Sequence, residues 1–132
     1  MVLNSQIPDD VLYTREHHWI RVEDSVATIG LTDHAQNELG DVVFVDLPEP
    51  GTEYHAADEM GCIESVKTST DLYAPVSGSI LEANPLLEKS PDLINRDPYG
   101  DGWLVRMKLT DISETEDLLS AEDYGNLVEE GE

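Results

Sequence analysis

The sequence predicts a mainly β protein, a compact β-sandwich or flattened barrel, on three observations. Seven short segments rich in apolar, β-branched or aromatic residues follow one another at short spacing. Clusters of Gly, Pro, Asn and Asp separate them. Helical rhythm is confined to one short internal stretch and to the C-terminal tail.

The elements follow in order. Residues 18–22 (HWIRV) and 26–30 (VATIG) read as strands joined by the turn Glu23-Asp24-Ser25. Residues 31–40 (LTDHAQNELG) read as a short helix. Thr32 is a good N-cap, Asp33 suits the positive first turn, and Gly40 suits the left-handed position after the last turn. Residues 42–47 (VVFVDL) form a strand that Pro48-Glu49-Pro50-Gly51 breaks. Strands at 60–65 and 70–73 flank a lysine, and 79–83 is another. Residues 84–98 read as loop with one helical turn, and Pro98-Tyr99-Gly100-Asp101-Gly102 feeds a last strand at 103–109. From Ser113 onward, Leu118, Leu119, Tyr124, Leu127 and Val128 recur with helical spacing, with Ser120 as a cap and Gly125 weakening the pattern.

A chain of 132 residues fits one domain. Its 39% apolar content is enough for a core and too much for a disordered chain. The charge is extreme, with 29 acidic residues against 7 basic ones and a formal net charge of −22. Such a surface repels phosphate backbones and anionic bilayers, so neither nucleic acid nor membrane is an expected partner. Basic patches on other proteins would be attracted. The single Cys62 allows no internal disulfide and suits a reducing compartment. The N-terminal MVLNSQIPDD lacks the basic and apolar character of a signal peptide, and the longest apolar run, 42–45, is far too short to span a bilayer. A soluble, cytoplasmic protein is expected.

Within GCIESVKTSTDLYAPVSG, residues 61–78, stands Lys67, one of only three lysines in the chain. Ile63 and Val66 have opposite parity, so a straight strand would push one of them into water. A reversal near Val66-Lys67-Thr68 removes the conflict, and type I turns accept most residue types. Lys67 then sits at a hairpin tip, side chain outward. A compact amine on a flexible stem is a natural acylation site, and a rigid turn would present it at a fixed position. An ordinary surface lysine opposite Glu64 fits the same spacing.

More of the chain then becomes recognisable. HHW at 17–19, VATIGLTDHAQNELGDVVFVDLPEPG at 26–51, ESVKT at 64–68, YAPVSG at 73–78 and LINRDPYGDGW at 93–103 closely resemble the H proteins of glycine cleavage systems, over about residues 12–128. The resemblance implies a barrel-sandwich hybrid of the lipoyl/biotinyl-carrier kind: two antiparallel sheets, a short internal helix and a C-terminal helix. It implies one lipoyl-carrier domain over 1–132, with a β core at 11–110 and a helical segment at 113–130. It implies no catalytic residues and lipoate bound covalently to Lys67. The implied partners of this monomer are glycine decarboxylase, the aminomethyltransferase, dihydrolipoamide dehydrogenase and a lipoyl-attaching enzyme. The arm would take an aminomethyl group from the first to the second and be reoxidised by the third.

The resemblance also assigns roles to neighbours. Glu64, three residues before the lysine, would help the lipoyl-attaching enzyme recognise the site. His17, His18 and Asp71 would belong to a groove that shelters the loaded arm. The family commonly reads His-Glu-Trp where this chain reads His17-His18-Trp19. The acid that would meet the amine is therefore His18, and Glu16 would face the other way if both lay on one strand. Weaker protection, or protection dominated by Asp71, follows.

Other signals point nowhere chemical. His17 and His18 would diverge on a strand, and His34 and His55 lie in other segments, so no metal site is expected. Cys62 reads as a small core residue, and Trp19 and Trp103 as core or groove wall. A biotin carrier would have Met on both sides of the lysine, and a 2-oxo acid dehydrogenase lipoyl domain Asp before it. Val66 and Thr68 fit neither. The remaining rivals are a lipoate relay of related sequence and an unmodified acidic protein-binding module.

Overall fold

The computed structural model describes residues 7–129, so residues 1–6 and 130–132, among them Glu130 at the end of the expected helical segment, lie outside it. Two antiparallel sheets face each other. The strands are β1 (Leu12–Tyr13), β2 (His18–Glu23), β3 (Val26–Leu31), β4 (Val42–Asp46), β5 (Glu53–Tyr54), β6 (Glu59–Ser65), β7 (Ser69–Tyr73), β8 (Gly78–Ala83) and β9 (Val105–Leu109). The larger sheet runs β1-β2-β3-β9-β8-β5 and the smaller β4-β6-β7. Three helices complete the chain: α1 (Asp33–Leu39), α2 (Leu93–Arg96) and α3 (Ala121–Glu129).

Alternation decides which side chains enter the core. In β9, Val105, Met107 and Leu109 point inward while Arg106 and Lys108 stay exposed. Ile29, Ile63, Leu72, Ile80 and Met107 are almost wholly removed from water in the space between the sheets. Each such side chain contributes about 1.5–3 kcal/mol of transfer free energy. A second cluster forms at one end, where α3 docks. Tyr124, Leu127 and Val128 lie on one helical face, and Tyr124 stacks on Tyr13 with ring centroids 4.6 Å apart and planes 6° from parallel.

The helix signals read in the sequence operate as expected. Thr32 Oγ1 accepts the Ala35 N–H at 3.2 Å, and Gly40, at φ 84°, donates its N–H to the Gln36 carbonyl. Ser120 Oγ accepts from the Asp123 N–H at 3.2 Å to start α3, and the helix continues through Gly125. The C-terminal segment is nevertheless not one helix. A 3-10 turn covers Ile112–Asp117, and Leu119 then exchanges two backbone bonds of 2.8 Å with Tyr13, which holds it extended. Within the 84–98 loop there are two helical pieces, a 3-10 turn at Pro85–Glu88 and α2.

Candidate functional site

The chain between β6 and β7 reverses at Val66 and Lys67, and Ser65 is what makes that possible without glycine. Its N–H donates to the Thr68 carbonyl at 2.8 Å. Its hydroxyl accepts from the N–H groups of Lys67 (3.3 Å) and Thr68 (3.2 Å) and reaches the Thr68 carbonyl at 3.2 Å. A serine oxygen thus satisfies amides that a tight turn would otherwise strand. The turn is also tied sideways, because the Val66 N–H donates to the Asp41 carbonyl at 2.9 Å. Asn95 of α2 fixes that neighbour in turn: its side-chain amide donates to the carbonyl of Gly40, and its Oδ1 accepts the Val42 N–H, each at 2.8 Å. The sequence reading did not single out Ser65, Asn95 or Gly40 as parts of this turn; a serine directly before a loop was the one available signal.

Lys67 is exposed at the tip, as the sequence reading placed it. Parity is not what places it there. Val66 is 68% exposed, so the reversal does not bury it. The lysine stem instead crosses Gly40, where an added Cβ would stand 3.1 Å from Lys67 Cε. Among the described residues no carboxylate forms an ion pair with Lys67.

Beside the turn lies a cleft of about 370 Å³. One wall is the free edge of β7, with residues 68–73 in unbroken succession; the other includes His18, Leu31 and the α1 residues Ala35, Glu38 and Leu39. The structure therefore brings His17, His18 and Asp71 together. Glu64 is not part of the cleft. It lies exposed on the outward face of the small sheet, opposite Phe44 and Ser69. Glu16, Glu38 and Asp71 are the acids lining the cleft, and among its described lining residues there is no Lys or Arg. The potential inside therefore favours a cation.

His18 is 5% exposed, and burial, with the nearby His17 adding to it, lowers its pKa from 6.5 to about 4. It is neutral at pH 7. Thr14 Oγ1 accepts the backbone N–H of His18 at 3.1 Å and lies 3.4 Å from its ring Nδ1. His17 sits outside β2 at φ 71°, so it and Glu16 belong to a turn rather than a strand. This corrects the expectation that His17 and His18 diverge and that Glu16 faces away, since all three line the cleft. His17 Nδ1 is 2.7 Å from the hydroxyl of Tyr124, which is also 2.7 Å from Thr32 Oγ1. The C-terminal helix is thereby tied to the cleft wall. Asp71 accepts from the Tyr73 hydroxyl at 3.3 Å and raises the pKa of that phenol.

Cys62 is only half-buried, and alternation places it with Glu64 on the outer face, opposite the core residue Ile63. Trp19 is fully buried and donates its indole N–H to the Pro98 carbonyl at 2.8 Å, while Trp103 is half-buried under Arg106.

Two facing antiparallel sheets, a lysine raised on the one hairpin of the smaller, and a cation-favouring cleft alongside define a lipoyl/biotinyl-type carrier fold. Comparison narrows this. The family model for the glycine cleavage H-protein matches residues 11–131. A glycine cleavage system H protein of Rubrobacter xylanophilus is 56% identical over 128 residues, covering 97% of this chain and 99% of that one. One of Bacteroides thetaiotaomicron is 53% identical over 121 residues, covering 92% and 96%. The crystal structure of the H protein from Mycobacterium marinum superposes with a TM-score of 0.86 at 40% identity, covering 93% of this chain and 99% of that one. The chain belongs to the glycine cleavage H-protein family. The family's role is that of a lipoyl carrier in glycine cleavage, a component that is not itself catalytic and bears its lipoate on a lysine. Among the described residues no helix is long and apolar enough to cross a membrane.

Proposed function

We propose that Lys67 is the lysine that carries lipoate, in one carrier domain spanning residues 1–132. The observation that carries this reading is the geometry of the tip: an exposed amine on a turn braced by Ser65 and Asp41, with a sheltering cleft at its side. The residues present suit the group. The amine is open to a modifying enzyme, and the cleft offers apolar walls at Leu31, Ala35 and Leu39. Lipoate, once joined by an amide, supplies a disulfide that takes up an aminomethyl group and passes it on. The chain's own residues do the rest. Ser65 and Gly40 aim the stem, the β7 edge and α1 exclude water, and Glu16, Glu38 and Asp71 favour a protonated amine. Tethering replaces diffusion of a free intermediate by a high local concentration at each partner.

The partners in this reading are glycine decarboxylase, the aminomethyltransferase, dihydrolipoamide dehydrogenase and the lipoyl-attaching enzyme, all met by a cytoplasmic monomer. Glu64, outside the cleft and three residues from the amine, suits recognition by the attaching enzyme. Intact mass spectrometry of protein from a lipoate-replete host tests the site. A lipoyl increment on the parent that is absent from Lys67→Arg supports it. An increment that persists in Lys67→Arg, or an unmodified parent, rejects it.

A further inference from the structure

The outward face of the small sheet carries a feature that neither the core nor the cleft uses. Between Val42 and Phe44 the pairing of β4 with β6 slips by one residue: Val42 faces Ser65 and Phe44 faces Glu64. The bulge turns two consecutive large apolar residues outward, Val43 at 53% and Phe44 at 52% exposure. Phe44 is the only phenylalanine in the chain. Its exposure forgoes the burial of a large apolar side chain, a loss that the core does not recover. Val66, 68% exposed, extends the patch to the hairpin tip.

Charge surrounds this patch. Residues 41–46 and 59–73 contain Asp41, Asp46, Glu59, Glu64 and Asp71, all exposed, and Lys67 as their single cation. The patch lies on the β4 side of β6 and the cleft along the free edge of β7, so Lys67 stands between two separate surfaces.

We propose that Val43, Phe44 and Val66, rimmed by Asp41, Asp46 and Glu64, form the docking surface for the lipoyl-attaching enzyme, whose complementary face has an apolar recess ringed by Lys and Arg. This rests on Lys67 being the acceptor. The commitment to this partner follows from position and charge. An enzyme acting on the free amine must cover the tip, and the cleft side is where the arm shelters afterwards. The acidic rim selects a basic partner. Acylation removes the last cation of the face, so product and substrate differ in charge at the contact itself. In that step Nζ attacks the carbonyl carbon of a lipoyl adenylate and the carbon–oxygen bond to the phosphate breaks. AMP leaves with the bonding pair; of the three ammonium protons, two pass to water and one stays on the amide nitrogen.

The test uses the full unmodified chain, a lipoate–protein ligase, ATP and free lipoate, with acylation followed by intact mass. Phe44→Ser and Val43→Ser each raise the KM for the protein by about tenfold with kcat within about twofold. Raising salt from about 50 to about 300 mM raises the parent's KM as well. Leu81→Ser, equally exposed at 48% but on the larger sheet, leaves KM unchanged. Circular dichroism and urea midpoints establish that the variants fold. An unchanged KM in folded Phe44→Ser, or a loss confined to kcat, overturns the docking surface while leaving Lys67 as acceptor. A parent whose Lys67 is never acylated overturns both.

Discussion

His18 should make the protein less stable in mild acid, and replacing it should remove that sensitivity. The folded pKa is about 4 against an ordinary value of 6.5. Lowering means that the unfolded chain binds the proton first. Stability is therefore fully present above pH 6.5 and is lost as pH falls through the window from 6.5 to about 4. A gap of this size corresponds to about 3 kcal/mol when fully expressed, and to about 2 kcal/mol by pH 5. Thr14 lies against the ring, and Glu16, His17, Asp71 and Tyr73 line the same cleft. A protonated His17 would deepen the effect. Many carboxylates also titrate in this range, so the informative quantity is a difference. Urea unfolding of the parent and of His18→Gln at pH 7.5 and pH 5 gives two stability gaps. The parent's advantage should shrink by about 2 kcal/mol on going to pH 5. A gap that stays constant within about 0.5 kcal/mol, beyond the error of such extrapolations, would refute the claim that a buried neutral imidazole sits at this position.

Gly61→Ala places a Cβ 1.9 Å from the Asp46 carbonyl oxygen, so the β4–β6 pairing must open, at a cost of about 3 kcal/mol read from urea midpoints. Tyr124→Phe strips a partner from both His17 Nδ1 and Thr32 Oγ1 and should lower stability by about 1–2 kcal/mol, with faster exchange of the Ala35 amide. Glu16→Gln should shorten the lifetime of the aminomethyl-loaded protein, followed by formaldehyde release, more than His18→Gln does; equal lifetimes for Glu16→Gln and parent would count against an acidic cleft.

The strands that the sequence revealed are those where burial imposes a period. Residues 26–30 put Ala27 and Ile29 into the core on one face, and 79–83 bury Ile80 before a bulge turns Leu81 and Glu82 both outward; both segments fall within observed strands. The β1 and β5 strands were missed because two residues cannot show a period; β5 moreover exists only through β8, far along the chain. The C-terminal break was hidden for the same reason: Leu118 and Leu119 keep a helical rhythm, yet the Tyr13 backbone claims Leu119. At the site, the turn falls where it was expected, but parity is not its cause, since Val66 stays in water. Ser65 supplies the missing hydrogen bonds through a hydroxyl that no hydrophobic pattern reports. Glu16 was set aside on strand geometry, whereas a left-handed φ at His17 ends that geometry one residue before β2.

That left-handed residue also bears on how the cleft treats an amine. The charge expected at position 18 by resemblance is absent, and position 18 is poorly placed to supply one in this chain. It is 5% exposed, with Thr14 Oγ1 3.4 Å from the ring. A carboxyl group there would be pushed toward its neutral form by the same desolvation that keeps the imidazole uncharged. Glu16, two residues earlier, is exposed and lines the same cleft. With Glu38 across on α1 and Asp71 on β7, three carboxylates approach the space from three different elements. Negative potential at the cleft therefore depends on where the backbone puts solvated acids around a dry wall. His18 serves that wall as a neutral filler, locked by Thr14, and the turn at residues 14–17 is what lets Glu16 share its side.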